Sequence, residues 1–261
     1  MNQQEKGAAF RALHAGPTFV IPNPWDVGSA RLLESLGFKA LATTSSGFAF
    51  TLGRQDGGAT LNDVATHVTR LAEATDLPIS VDMENGYGAQ PERAAAAVRR
   101  IAAAGAVGGS IEDWDRAGGF IYELPLAVER VTAAVEAARA LHFPFTFTAR
   151  AENHVHGHDD LDDTIARLQA FERAGADVLF APGLATLDAV RRVCQAVSKP
   201  VNVLARRMFT VPQLAEAGAR RLSVGGGLTW IAADALVHAA TAIRDTGDFS
   251  VLQSSNPTAG W

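Results

Sequence analysis

Short apolar runs alternate with longer amphipathic stretches along almost the whole chain. Phe19 to Asn23, Lys39 to Thr43, Pro78 to Asp82, Val107 to Ile111, Phe145 to Ala149, Val178 to Ala181, Pro200 to Leu204 and Arg221 to Val224 read as strands. They are rich in Val, Ile, Leu and Phe, as parallel strands covered on both faces must be. Between them, helical periodicity runs over 25–36, 60–74, 91–104, 125–141, 161–174, 185–197, 211–217 and 230–244. Thr60 with Asp63 three residues on approximates a capping box. Residues 1–16 read as a helix or arm and 246–261 as a tail, loose around Ser254-Ser255-Asn256-Pro257, leaving 17–245 as the folded body.

A phrase repeats: helix, Gly, strand. Gly37, Gly105 and Gly175 each follow a helix and supply the left-handed residue that stops it. Their spacings of 68 and 70 residues are each two units of about 35, the size of one βα unit. Eight strands alternating with eight helices close most simply into a (β/α)8 TIM barrel, α/β in class. An open doubly wound sheet is the alternative. It needs a Gly-x-Gly-x-x-Gly turn after the first strand, where this chain has Pro22-Asn23-Pro24-Trp25.

In such a barrel the chemistry lies at the carboxyl ends of the strands. Strand 1 delivers Asn23 and Asp26 there, strand 2 Ser45, Ser46 and Gly47, strand 3 Asp82 and Glu84, and strand 4 Glu112 and Asp113. Strand 5 delivers Arg150 and Glu152, strand 6 Pro182 and Gly183, strand 7 Asn202, and strand 8 Gly225-Gly226-Gly227. Acids gather on strands 3 and 4 beside an arginine on strand 5. Asp82 and Glu84, two apart at a strand end, point to one side and repel unless a proton or cation lies between them. Mg2+, with Mn2+ as its substitute, keeps several waters and needs few carboxylates. Asp82 is its expected direct ligand, with Glu84 and Glu112 holding its waters.

Arg150 offers a planar fork for a substrate carboxylate, the alternative being a structural pair with Glu112 or Asp113. The turn Ser45-Ser46-Gly47 offers backbone N–H groups for an oxyanion, or is only a turn. Metal and amides together would stabilise an enolate formed from a 2-oxo acid. Asn202 joins them as a substrate contact, and Gly225-Gly226-Gly227 is either a tight turn or a phosphate cradle. His154, His156 and His158 alternate, but their surroundings read as a loop, so a transition-metal site is disfavoured. His154 is instead expected as a general acid or base near Arg150.

These residues resemble the isocitrate lyase/phosphoenolpyruvate mutase superfamily. Its strand-3 signature Asp-x-Asp-Thr-Gly-Tyr-Gly is similar to Asp82-Met83-Glu84-Asn85-Gly86-Tyr87-Gly88. Its Ile-Glu-Asp and Ala-Arg-Thr-Asp motifs are similar to Ile111-Glu112-Asp113 and Ala149-Arg150-Ala151-Glu152. The resemblance spans Phe19 to Ala240. It implies the same barrel, with the last helix swapped between subunits in a dimer of dimers, and Mg2+ with a 2-oxo acid or dicarboxylate. It further implies C–C or C–P bond chemistry and Asp56 as a further acid near the metal; Arg150 and Glu112 are the expected catalytic residues beside His154. The Lys-Lys-Cys-Gly-His loop of the family's lyases is missing after strand 4, which points to the short-loop, cysteine-free branch.

Composition narrows the classes. At 48% hydrophobic over 261 residues, the chain can bury a large core. A net charge of -5 with no basic cluster argues against nucleic acid. No apolar run is long enough to span a bilayer, and Met1 to Lys6 lacks the apolar core of a secretory signal. The one cysteine, Cys194, fits a reducing, cytoplasmic setting. The expectation is a C–C lyase or decarboxylase of small 2-oxo acids. A phosphonopyruvate mutase or hydrolase and a non-catalytic 2-oxo acid binding protein are the rivals.

Overall fold

The structure, a computed structural model, describes residues 1–252. Eight parallel strands form one curved sheet: β1 Phe19–Ile21, β2 Leu41–Ala42, β3 Ile79–Asp82, β4 Gly108–Glu112, β5 Thr146–Arg150, β6 Val178–Phe180, β7 Val201–Leu204 and β8 Arg221–Ser223. They pair in the order β1-β8-β7-β6-β5-β4-β3-β2. The remaining seam is bridged where Ala42 N donates to Pro22 O at 3.0 Å. Asn23 stitches the same seam, its side chain donating to Thr43 O at 3.0 Å and accepting from Val224 N and Gly225 N at 2.9 Å each. The expected (β/α)8 barrel is therefore what forms. The doubly wound alternative falls because β1 pairs with β8, in register from Phe19↔Arg221 to Ile21↔Ser223.

Outside the barrel lie α2 Val27–Ser35, α3 Ser45–Thr51, α4 Leu61–Ala74, α5 Pro91–Ala103, α6 Leu124–Arg139, α7 Leu161–Arg173, α8 Leu187–Ala196, α9 Val211–Glu216 and α10 Gly227–Thr246, preceded by α1 Gln3–Ala15. The capping box of α4 is present, with the Thr60 side chain accepting from Asp63 N. Gly37, Gly105 and Gly175 all have positive φ, as their position after a helix demands.

Three local readings change. Thr44 to Gly47 is no turn: Thr44 caps α3, its hydroxyl accepting from Gly47 N. Asp26 caps α2, accepting from Ser29 N, and does not reach the strand ends. The segment after β4 forms a hairpin, Trp114–Asp115 against Phe120–Ile121, before α6 begins. The Asp115 carboxylate organises its turn by accepting from Ala117 N and Gly118 N. Strands of two residues are too short for periodicity to show.

Helix α1 sits beneath the barrel, with Phe10 and His14 buried and Lys6 Nζ donating to Thr75 O at 2.7 Å. Its close approach needs Gly7, where a Cβ would collide with the carbonyl of Pro144. Helix α10 behaves differently: only Thr229 is buried, while Ile231, Leu236 and Val237 are each more than 60% exposed. Among the described residues, no helix is long and apolar enough to cross a membrane.

Because the Pro144 backbone cannot yield as a flexible side chain would, Gly7→Ala should lower stability by about 1–3 kcal/mol. A urea melt checks this, and an unchanged midpoint would refute the tight docking.

Candidate active site

A cavity of about 250 Å3 opens at the carboxyl ends of the strands and reaches down into the barrel. Asp82, Arg150, Glu152, Ser45, Ser46, Asp56 and Asn202 all line it.

At its upper edge sits a cluster centred on Arg150. The guanidinium donates from Nη1 to Asp82 Oδ1 at 2.9 Å, from Nε to Glu152 Oε1 at 2.9 Å, and lies 3.2 Å from Glu112 Oε2 through Nη2. It rests 5.2 Å above the Phe180 ring. The barrel register makes this meeting unavoidable. Asp82 pairs with Ser110, and Glu112 pairs with Arg150, so the ends of β3, β4 and β5 stand side by side. Burial would lower the arginine pKa, but Glu152, Asp82 and Glu112 more than reverse this, and it stays charged. The pairing of Arg150 with Glu112 that the sequence left open is thus present. The fork is occupied by protein carboxylates.

Glu84 joins the cluster by a different route from the expected one. Strand β3 stops at Asp82, and Glu84 has φ 49°, so the two-residue pleat argument does not apply. A turn brings it in, with Glu84 N donating to Asp82 Oδ1 at 3.2 Å. Its carboxyl is pushed up to about 7, first by burial and then by the charge of Asp82. Glu84 Oε2 lies 3.6 Å from Arg116 Nε, while Oε1 is buried with no protein partner. The buried Tyr87 hydroxyl is likewise unpartnered. Burial also pushes the Glu112 carboxyl well above its ordinary range, with Arg150 opposing and Glu152 and Asp82 adding to the rise. Neither Glu84 nor Glu112 lines the cavity itself; both stand behind Asp82 and Arg150.

The turn carrying Glu84 is held from outside the barrel. Arg130 of α6 is buried, donates to Ala89 O at 2.7 Å and to the carbonyls of Asn85 and Gly88, and lies 4.3 Å from the Tyr122 ring centroid. Among the described residues, Glu84 and Tyr87 are the two non-glycines with positive φ, a costly conformation that such clamping sustains. Nothing in the sequence marked Arg130, since arginine on an amphipathic helix normally faces water.

The other expected residues divide. Ser45 N faces Asp82 Oδ2 at 3.4 Å, so this amide points at the cluster. Gly47 does not line the cavity. Its N–H closes the Thr44 cap at 3.3 Å, and its missing side chain admits Thr229, whose Oγ1 would lie 2.5 Å from a Cβ. Asp56 sits at the rim, 3.3 Å from Arg116 Nη2, so the one cation of the loop after β4 is tied to Asp56 and Glu84. Asn202 lies below the strand ends, inside the barrel, donating to Ser223 Oγ at 3.0 Å. Gly225, with φ 53°, turns the chain into α10.

Asp113 points away from Glu112, as neighbours on a strand must. It accepts from Glu152 N at 2.9 Å and from Arg167 Nη1 at 3.3 Å. Burial first, opposed by those two partners, pushes it up to about 6.

His154 is not on the cavity wall. It lies in a 3-10 turn, Asn153–His156, with Nδ1 3.3 Å from the exposed Asp159. His156 stacks on Trp114 with ring centroids 3.5 Å apart. The three histidines therefore do not share a face, and among the described residues no three His, Cys, Asp or Glu side chains converge as a ready-made metal cage. Cys194 packs against Gly218 on the outer face, its thiol pushed up to about 11 by burial.

Residues 10–244 match the phosphoenolpyruvate phosphomutase family. The chain belongs to that family, and so to the isocitrate lyase/phosphoenolpyruvate mutase superfamily. A crystal structure from Burkholderia cenocepacia J2315, described only as a candidate lyase or mutase, superposes with a TM-score of 0.94 at 50% identity, covering 98% of this chain and 94% of that one. The 2-methylisocitrate lyase of Escherichia coli K12 is 31% identical over 83% of this chain and 77% of its own length. The oxaloacetate decarboxylase of Rhodopseudomonas palustris TIE-1 is 30% identical over 77% of this chain and 71% of its own. The superfamily resemblance read from the three motifs is thereby established, and its members are lyases and mutases.

The raised Glu84 carboxyl makes a signed prediction for the metal-free protein. An acid whose folded pKa lies above its ordinary 4.5 contributes stability below that value, and this is lost as pH rises through about 7. Wild-type stability should therefore fall relative to Glu84→Gln by about 1.4 kcal/mol per pH unit across this window. Parallel stability–pH curves for the two proteins would contradict it.

Proposed function

We propose that this chain is a divalent-cation-dependent enzyme that breaks or forms a carbon–carbon bond in a small 2-oxo acid or dicarboxylate, as a lyase or decarboxylase does, by way of an enolate. One observation carries the reading. Asp82, Glu112 and Glu152 crowd around the Arg150 guanidinium, Glu84 stands beside Asp82 with only the half-exposed Arg116 at 3.6 Å, and two buried polar atoms there, Glu84 Oε1 and the Tyr87 hydroxyl, have no protein partner. Surplus buried negative charge with unsatisfied oxygen groups fits a hard cation and its waters.

The residues present fit Mg2+, with Mn2+ as substitute. Asp82 would be the direct ligand, and Glu84, Glu112 and Asp56 would hold its waters. Bound there, the cation would polarise the substrate's oxo group as a Lewis acid. The protein's own groups do the rest. Arg150 fixes Asp82, Glu112 and Glu152 in one arrangement, and Ser45 N–H adds a backbone dipole beside Asp82. The hairpin after β4 carries no cysteine or lysine, which favours a reaction that needs no thiol acid. Arg116, its one cation, is bound to Asp56 and Glu84, which leaves nothing free in that loop for a phosphonate and favours C–C over C–P chemistry.

Asp82→Ala should lower Mg2+-dependent turnover at least 100-fold over a panel of oxaloacetate, 2-oxoglutarate, malate-type adducts and phosphonopyruvate. Full activity in EDTA would sink the proposal, and release of phosphate from phosphonopyruvate would replace it with the C–P reading.

The bare face of α10 supports a homo-oligomer, a dimer of dimers in which this helix packs on a second copy. Light scattering should report a tetramer, and Ile231→Glu with Leu236→Glu should dissociate it; a monomeric wild type at micromolar concentration would rule the arrangement out.

A further inference from the structure

The cavity contains a second arginine, and its situation is the reverse of the first. Arg221 opens β8, points into the barrel and lines the cavity while only 5% exposed. Its Nε donates to Asn202 Oδ1 at 2.9 Å, its Nη2 to Thr148 Oγ1 at 3.0 Å, and its Nη1 lies 3.4 Å from His14 Nε2. Every partner is neutral. His14 is held uncharged, its pKa brought down to about 3 by burial and by Arg221 itself, and its Nδ1 contacts Phe10 O. Among the described residues no carboxylate lies within ion-pair distance of Arg221, whereas Arg150 has three. Burial alone brings the Arg221 pKa down to about 9, with no acid nearby to restore it.

A buried charge is normally paired. Here the pairing acid is missing and the charge faces a cavity. The layer around it is also unusual for a barrel, whose interior is ordinarily filled by bulky branched side chains. Ser80, Ser110 and Ser223 stand there with Asn202, and their small size lets the cavity reach the guanidinium. After its three contacts, Arg221 keeps one N–H on each terminal nitrogen with which to bind a carboxylate.

We propose that Arg221 forms a carboxylate-binding subsite at the floor of the cavity, which receives the second carboxylate of the substrate. This rests on the functional reading above and sharpens it: the substrate is a 2-oxo dicarboxylate rather than a monocarboxylate. The spacing agrees. Thr148, which Arg221 contacts, and Arg150 are two residues apart on one face of β5, about 6.6 Å along the strand. A diacid of the size of oxaloacetate spans such a step, with its oxo end at Asp82, and pyruvate does not. The cavity volume of about 250 Å3 equals roughly eight waters, enough for so small an acid. Asn202 is a positioning residue, accepting from Arg221 and donating to Ser223.

The test compares oxaloacetate (KM and kcat) with pyruvate (Kd by calorimetry) in the Mg2+-loaded full chain. Arg221→Met should raise KM for oxaloacetate between 10- and 100-fold, the worth of a charge-assisted hydrogen-bonded pair. The pyruvate Kd should stay within about twofold, and Arg221→Lys should restore part of the loss. Asn202→Asp provides a second arm that keeps Arg221 in place but supplies an internal counter-ion. It should raise the melting temperature and still weaken oxaloacetate selectively, which a purely structural arginine would not do. Equal losses for both acids, or none for either, would overturn the subsite. So would a chloride-dependent rise in melting temperature that is lost in Arg221→Met while the oxaloacetate KM is unaffected, since the floor would then hold a free anion. Wild type that handles pyruvate but not oxaloacetate overturns the subsite alone; wild type that binds neither overturns the functional reading with it.

Discussion

One buried guanidinium among more carboxylates than it can neutralise sets the character of this molecule. Arg150 touches Asp82, Glu112 and Glu152, and Glu84 stands behind them. Each acid is removed from water by the barrel wall, and removal from water disfavours charge. Arg150, with Arg116 at the edge beside Glu84, offsets this incompletely, and burial displaces the Glu84 and Glu112 carboxyls upward. A region left short of positive charge in this way fits the cation proposed above. The fold supplies the deficit, and the ligand is expected to make it good.

The surroundings keep that tension in place. Arg130 holds the turn that carries Glu84 and Tyr87 by its carbonyls, and Tyr122 covers the arginine. Gly86 lets the same turn lie against α5, where its Cβ would come within 3.0 Å of Ala94 Cα. Ala94, the first residue of the alanine run on α5, is thus a packing contact for the signature turn. Arg167 balances Asp113 on the far side of β4 and donates to the carbonyl of Tyr122, which steadies the hairpin. Charge at the centre is bounded by clamps at the edge.

Family membership and local chemistry agree on the class of enzyme but divide on detail. The relatives include a 2-methylisocitrate lyase and an oxaloacetate decarboxylase. In this chain the segment after β4 is a short hairpin, and its arginine is bound to acids. Reactivity must then come from the strand ends and the barrel interior, where the second arginine lies.

The chain's own pattern determined the barrel. Buried parallel strands, glycine-stopped helices and a repeating unit length permit few other closures, and the motifs at strands 3, 4 and 5 placed Asp82, Glu112 and Arg150 at one end. These were legible because strand periodicity and strand order are local properties. What each side chain meets is not local. That Arg150 is occupied by protein acids, that Glu84 arrives through a left-handed turn, that Gly47 serves helix packing, and that His154 faces Asp159 all depend on contacts between residues distant in sequence. Arg130 and Arg221 were invisible for the same reason: a charged residue shows its burial only when the elements around it have closed.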